Sequence, residues 1–308
     1  MTTADVRAFL GDLLREREPA PAWTWLQNTG AEVERGVDDV RFSNLISLVS
    51  RYSRRGPLAP SAAERARADE LLRGFDPERW TMFETARAWL VLARRDLERA
   101  SAVQALEECF QYADVGELCA LYKTIALLPG PERFVWRMGE GCRSSMRAVY
   151  EAVACDSPFA ARHFDDVAWR QLVIKALFVE APLWRVHGLD GRLSEELARM
   201  ALDLCDERRS AHRPVQHELW LVCGKFGGER ALAALEKELA GTNARGRRAA
   251  AIALARAGKL QRLAELAAKE GDPAVRATME SALRGELSQR AFRVLDPNER
   301  EPSAAAAR

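Results

Sequence analysis

The segment 169–190 concentrates side chains that bind ligands or transfer protons. They are Trp169, Gln171, Lys175, Trp184, Arg185, His187 and Asp190. Tryptophan rings stack on aromatic groups, and lysine or arginine pairs with anions. These residue types predict a polar pocket for an aromatic or acidic small molecule.

A helix must position the first of these side chains. Gln171 and Lys175 are four residues apart, so they share one helix face. The apolar residues of 167–179 point in nearly all directions around that helix, which predicts that it is buried. Because a buried ammonium without a partner is strongly disfavoured, we expect Lys175 to pair with Asp166 or Asp190 or to open onto a groove. The alternative is a structural ion pair that fixes the 182–190 turn on the helix.

Catalysis would need a nucleophile, a base and an orienting group, and the sequence does not place these together. Lys175 and His187 could act as an acid and a base, which leaves an enzyme as the third hypothesis. Cys155 and His163 could form a thiol nucleophile and its base, but a buried thiol is favoured. We therefore predict no catalytic residues and no cofactor.

Metal binding is predicted to be absent. His212, His217 and Glu218 could be read as metal ligands, but the two histidines are five residues apart, so their imidazoles do not share one helix face, and Pro214 between them indicates a loop. This spacing favours two solvated histidines over a metal site.

The charge balance argues against a nucleic-acid partner. The 308 residues contain 46 Lys and Arg against 45 Asp and Glu, which gives a net charge of +1 and no positive field. A basic stretch at Arg245, Arg247, Arg248, Arg256 and Lys259 has acidic neighbours, so it is predicted to be a solvated repeat face.

No stretch is apolar enough for stable membrane insertion, and the first residues have no secretory signal pattern. The six cysteines form no C-x-x-C pair, which is typical of buried thiols in a reducing compartment. A cytoplasmic protein is therefore expected.

The elements around these residues are predicted to be helices. Ala, Leu, Arg and Glu dominate the sequence, and no long stretch alternates between apolar and polar residues. The fold class is therefore all-α without significant sheet. Asp76-Pro77-Glu78 is predicted to start a helix, and one helix is predicted over 139–154.

A repeat is predicted in the last third of the chain. Asn243 and Asp272 are 29 residues apart, as are Leu254 and Leu283, and each pair occupies matching positions in two helical hairpins. Asp272-Pro273-Ala274-Val275-Arg276 is similar to the start of the second helix of a HEAT repeat. Because one hairpin cannot bury its apolar face alone, an α-solenoid of stacked antiparallel helix pairs is predicted.

The predicted organisation has four parts. They are N-terminal helices at 1–56, a central helical region at 61–225, HEAT-like repeats at 229–292 and a disordered tail at 296–308. One continuous superhelix is the alternative.

The central region resembles the EboA family. The matching elements read A-C-D-S at 154–157, W-R-Q-L-V-I-K-A-L-F at 169–178, P-L-W-R-V-H-G-L-D at 182–190 and E-L-A-R at 196–199. The sequence departs from the family pattern at Asp156 and Ser194, where asparagine is expected. The strong resemblance covers about fifty residues.

The resemblance implies a cytosolic helical protein from bacterial gene clusters that move secondary-metabolite precursors out of the cytoplasm. In cyanobacteria such clusters accompany the pigment scytonemin. The family supplies no catalytic mechanism. The leading hypothesis is therefore a non-catalytic protein that binds a metabolite precursor or a partner protein of the pathway. A general protein-interaction scaffold is the alternative.

Overall fold

The computed structural model describes residues 2–296, and in that range the fold is all-α. It contains seventeen α-helices, five short 3-10 helices and one isolated β-bridge between Pro57 and Thr81. The chain divides into two compact units, Met1–Trp169 and Arg170–Arg308. The predicted disordered tail lies, apart from Asp296, outside the described residues.

Ten α-helices lie within the first unit. They are α1 Thr3–Arg17, α2 Ala20–Arg35, α3 Asp39–Tyr52, α4 Ala62–Leu71, α5 Met82–Val91, α6 Ala100–Tyr112, α7 Val115–Ile125, α8 Val135–Cys142, α9 Arg147–Ala154 and α10 Phe159–His163. Helix α5 packs against α1, α2, α3 and α7, so it forms the centre of this unit.

Two predicted helices of the first unit are corrected. Asp76 accepts the Glu78 amide and caps only a 3-10 turn at Pro77–Arg79, whereas α5 begins after Thr81, which forms a capping box with Glu84. The 139–154 helix is two helices, because the chain leaves helical geometry after Cys142. There Ser144 accepts the Met146 amide with its hydroxyl, which competes with the helical pattern.

Helix α11, Asp166–Val179, contains the division between the units. Trp169, Leu172, Val173, Ala176 and Leu177 are buried. The prediction that this helix is buried on nearly all sides is wrong, because Val167 is 55% exposed and Phe178 is 49% exposed. A helical wheel gives the direction of a side chain but not its depth.

The second unit contains six further α-helices. They are α12 Glu195–Ser210, α13 Leu219–Cys223, α14 Gly228–Leu239, α15 Ala244–Arg256, α16 Leu260–Ala267 and α17 Pro273–Leu283. Helix α15 packs against α14 and α17, and a 3-10 helix at Gln289–Leu295 packs on α15 and on the 3-10 helix Leu183–Arg185.

The two helical hairpins predicted for the last third are present as α14/α15 and α16/α17. Asn243 and Asp272 cap α15 and α17 through their side-chain oxygens, as the 29-residue spacing indicated. Stacking of these hairpins as a solenoid stays a prediction.

Candidate functional site

The 182–190 turn is built from two 3-10 helices, Leu183–Arg185 and Leu189–Gly191. Gly188 joins them with φ 76°, a left-handed conformation that glycine adopts without a steric cost. Leu183, Trp184, Val186 and Leu189 are buried. The turn therefore presents its apolar side chains inward, and its main-chain polar groups need partners.

Gln289 supplies three of these partners. Its side-chain amide donates to the carbonyl oxygens of Trp184 at 2.9 Å and of Val186 at 2.7 Å. The side-chain oxygen of Gln289 accepts a hydrogen bond from the Asp190 main-chain amide at 3.2 Å. The main-chain amide of Gln289 donates to Asp190 Oδ2 at 2.7 Å. One residue of the last 3-10 helix thus makes four hydrogen bonds to the turn.

Arg256 completes this contact. It donates to Asp190 Oδ1 at 2.6 Å and to the Leu287 carbonyl at 2.6 Å, and only 6% of its side chain is exposed. Asp190 is therefore the acid partner of Arg256 and does not pair with Lys175. Arg256 is buried in an ion pair, which corrects the prediction that it belongs to a solvated face.

Lys175 and Gln171 lie on α11, where Lys175 is half-buried and Gln171 is exposed. Among residues 170–296, none forms an ion pair or a hydrogen bond with the Lys175 ammonium. The structure thus joins Trp184 and Asp190 through Gln289, while Lys175 stays apart from that network. Arg185 and His187 are half-buried on the same turn, and Trp169 is buried in the first unit.

The Trp184 ring is covered by an arginine. The ring is 7% exposed, and the guanidinium of Arg293 lies 5.5 Å from its centroid. Such a contact is a cation–π interaction. Trp184 therefore offers little free face for stacking on a ligand.

A buried carboxyl supports the turn from a different side. Glu218 is 6% exposed, and its Oε2 accepts the Trp184 amide at 3.2 Å. Burial raises the pKa of Glu218 to about 7, and the nearby charge of Asp296 also raises it. The amides of Trp184 and Leu183 and the charge of Arg245 lower this pKa, but their effect is smaller than that of burial. Sequence reasoning missed this role, although an acid directly before the apolar run 219–223 was a signal.

The neighbouring histidines differ from the prediction. His212 is exposed, but His217 is half-buried, with Nδ1 3.8 Å from Glu238 Oε1. Burial lowers the pKa of His217, and Glu238 opposes that change. The expectation of two solvated histidines is therefore wrong at His217.

Cys155 and His163 are the candidate thiol nucleophile and base of the sequence. Cys155 is buried, and the His163 ring packs 4.9 Å from the Phe159 ring. Burial lowers the pKa of His163. Over residues 2–296, no group of three or more His, Cys, Asp and Glu side chains could hold a metal ion.

A groove of about 980 Å³ lies in the second unit. Arg248 and Ile252 of α15 line it, together with residues 273–281 of α17 and residues 290–294 of the last 3-10 helix. Most of its lining is apolar. We name this the C-terminal groove. Sequence reasoning missed it, because the 3-10 helix that forms one wall has no periodic apolar pattern.

The basic stretch that was predicted to be a solvated face contributes to this region. Arg247 pairs with Glu270 at 3.2 Å, and Arg248 donates to Thr278 Oγ1 at 2.9 Å. Arg245 donates to the Leu295 carbonyl. These arginines therefore hold neighbouring elements together in the second unit.

Fold and site define a helical protein in which a central turn is held by a later segment of the same unit. The chain belongs to the EboA family, because the family model described as "Metabolite traffic protein EboA" matches residues 6–224. No curated protein and no solved structure matches the chain. Between residues 2 and 296, no helix has the length and apolar character needed to cross a membrane.

Proposed function

We propose that this protein serves metabolite traffic by binding a small molecule of its pathway in the C-terminal groove, without changing it chemically. The observation that carries the proposal is the groove itself. Its volume of about 980 Å³ is that of a small-molecule site, and its apolar walls carry a few polar groups. The groove lies C-terminal to the family-matched residues 6–224, so the residues that line it are the basis for its proposed ligand.

The proposal moves the binding site away from the 182–190 turn. Trp184 lies under Arg293, and Asp190 is engaged by Arg256 and Gln289. These groups already have partners, which favours a structural role for the turn. Arg293 also lines the groove, so it connects the turn with the proposed site.

Two further parts of the proposal concern architecture and location. We propose that α14/α15 and α16/α17 stack as HEAT-like pairs and that the protein acts in the cytoplasm. The packing of α15 against α14, α16 and α17 supports the first. The family's role in metabolite traffic supports the second.

Native mass spectrometry of the protein purified gently from its own host tests the function. We expect a reproducible small-molecule adduct that is lost in Ala277→Trp, because Ala277 lines the groove and is exposed. The matched control is Ala264→Trp, since Ala264 is exposed on α16 outside the groove. An adduct kept by Ala277→Trp would place the site elsewhere.

A protein-interaction scaffold is the second candidate, and one observation favours it. Trp136 of the first unit is 65% exposed, and large aromatic side chains are enriched at protein interfaces. Co-purification with Trp136→Ser separates the two functions. A stoichiometric partner that is lost in this variant and kept in Ala277→Trp would support the scaffold.

A further inference from the structure

The acidic side chains of the C-terminal groove already have local partners. Asp272 accepts the amides of Ala274 at 2.9 Å and Val275 at 3.2 Å, so it is the N-cap of α17. Glu286 accepts the Ser281 hydroxyl at 2.5 Å. These carboxylates are therefore engaged in holding the ends of α17 and are not free to receive a cation.

Arg290 differs from these acids. It is exposed and lines the groove, and no residue of 2–296 pairs with its guanidinium. A second guanidinium, Arg248, is half-buried, and Thr278 Oγ1 fixes its Nε at 2.9 Å. Thr278 in turn donates to the Ala274 carbonyl at 2.9 Å, so this cation is oriented by α17. The groove lining therefore contains an oriented guanidinium at Arg248, one without a partner among residues 2–296 at Arg290, and a third at Arg293.

The larger part of the groove surface is apolar. Ile252, Ala277, Ala291 and Val294 contribute side chains without hydrogen-bonding groups, and Val294 is 41% exposed. An exposed valine in a groove loses contact with water when a ligand covers it, which favours binding of an apolar body. Charge and shape thus point to the same kind of ligand.

We infer that the C-terminal groove binds a small molecule with an apolar body and one acidic group, which pairs with Arg290 and Arg248. The inference rests on the proposed function and names its ligand class. Guanidinium groups bind carboxylates and phosphates through two parallel hydrogen bonds. The acidic group is therefore a carboxylate or a phosphate, and the apolar body lies against Ala277 and Val294.

Titration calorimetry with matched probes tests the ligand class on the full chain. Phenylbutyrate, phenylbutanol and phenylbutylamine share an apolar body and differ in charge. We expect binding in the order acid, alcohol, amine, with the acid at least about tenfold tighter than the amine. Phenyl phosphate, compared with phenylbutyrate, distinguishes a phosphate from a carboxylate as the preferred group.

Three variants locate the site. Arg290→Glu is expected to weaken phenylbutyrate binding by roughly tenfold, and Arg290→Lys by less, because lysine keeps the charge but not the planar fork. Arg213→Glu is the control, since Arg213 is exposed in the same unit and its side chain has no partner among residues 2–296.

The outcomes separate the two proposals. If all three probes bind equally and Ala277→Trp abolishes binding, the groove is a binding site but the acidic ligand class is wrong. If phenylbutyrate binding is unchanged by both Ala277→Trp and Arg290→Glu, the groove assignment itself is wrong. An equal loss in Arg213→Glu and Arg290→Glu would show a general charge effect and also overturn the inference.

Discussion

In the first unit, Glu84 lies 2.6 Å from the Lys123 ammonium and Glu117 lies 3.5 Å from the Arg87 guanidinium. In the second unit, Glu218 is buried to a similar extent, but no cation among the described residues lies within ion-pair distance of it. The first unit thus neutralises Glu84 and Glu117 with bases, whereas buried Glu18 accepts hydrogen bonds from the Ser53 hydroxyl and the Arg54 amide. In the second unit burial raises the pKa of Glu218, and Arg290 at the groove has no partner among residues 2–296.

The ion pairs of the first unit join two of its helices. Burial lowers the pKa of Arg87, and the nearby carboxylates of Glu117, Asp114 and Glu84 oppose that change. The charges of the first unit therefore hold α5 and α7 together, because each ion pair joins these two helices. In the second unit, the Gln289 side chain and the Arg256–Asp190 ion pair hold the turn, and Arg290 at the groove has no partner among residues 2–296.

The largest expected effect comes from breaking an ion pair of the first unit. Glu84→Gln keeps the capping box but leaves the half-buried Lys123 ammonium without its carboxylate and with only the Arg79 carbonyl at 3.4 Å. We expect the free energy of unfolding to fall by about 3–5 kcal/mol in urea denaturation. The double variant Glu84→Gln/Lys123→Met should recover most of that loss. If the unfolding free energy of Glu84→Gln lies within about 1 kcal/mol of the natural protein, the ion pair does not hold α5 and α7 together.

The next effect tests the unpaired acid of the second unit. Burial raises the pKa of Glu218 from 4.5 to about 7. Because the folded protein holds this proton more tightly, its stabilising contribution is complete below pH 4.5 and is lost as the pH rises through 7.

Glu218→Gln removes this dependence. Between pH 4.5 and 8, the natural protein should lose about 3 kcal/mol more unfolding free energy than the variant. Urea denaturation across that range measures the difference. Glu229→Gln is the control, because Glu229 is exposed in the same unit. Parallel pH profiles for the natural protein and Glu218→Gln would show that Glu218 is ionised in the fold.

A smaller effect is expected from the neutral amide that holds the turn. Gln289→Ala leaves the Trp184 and Val186 carbonyls without their donor and should cost about 2 kcal/mol. Hydrogen exchange should rise first at residues 184–190. Gln261→Ala, on the exposed surface of α16, should change neither quantity. Unchanged exchange in Gln289→Ala would mean that the turn does not depend on this side chain.

The smallest effect is expected at the groove. Arg290→Glu should change the unfolding free energy by less than about 0.5 kcal/mol, because Arg290 is exposed and pairs with no residue of 2–296. Thermal denaturation monitored by circular dichroism measures this. A destabilisation above about 1 kcal/mol would assign Arg290 a structural role and weaken its assignment to ligand binding.

Much of the local structure could be predicted from the sequence. Asp272 followed by Pro273 predicted the start of α17, and Asn243 marked the start of α15, because a cap is encoded by a few adjacent residues. Asp76 was misleading, since the same signal also begins a 3-10 turn. Cap residues specify where a helical turn begins but not how long it continues.

The candidate site was less accessible to sequence reasoning. The segment 182–190 was correctly singled out as unusual, yet its partners Arg256 and Gln289 lie 66 and 99 residues from Asp190. No local pattern encodes which distant amide will satisfy a turn. The apolar neighbours of Lys175 predicted that it lies on a buried helix, but in the structure Lys175 is only half-buried.

The hydrogen bonds of Gln289 have a consequence for how the protein is made. A ribosome adds about 5–20 residues per second, so Asp190 is synthesised roughly 5–20 s before Gln289, which follows it by 99 residues. Throughout that interval the Trp184 and Val186 carbonyls lack the side-chain donor that Gln289 supplies in the folded protein. The turn of a chain that stops before residue 289 therefore cannot form these two hydrogen bonds.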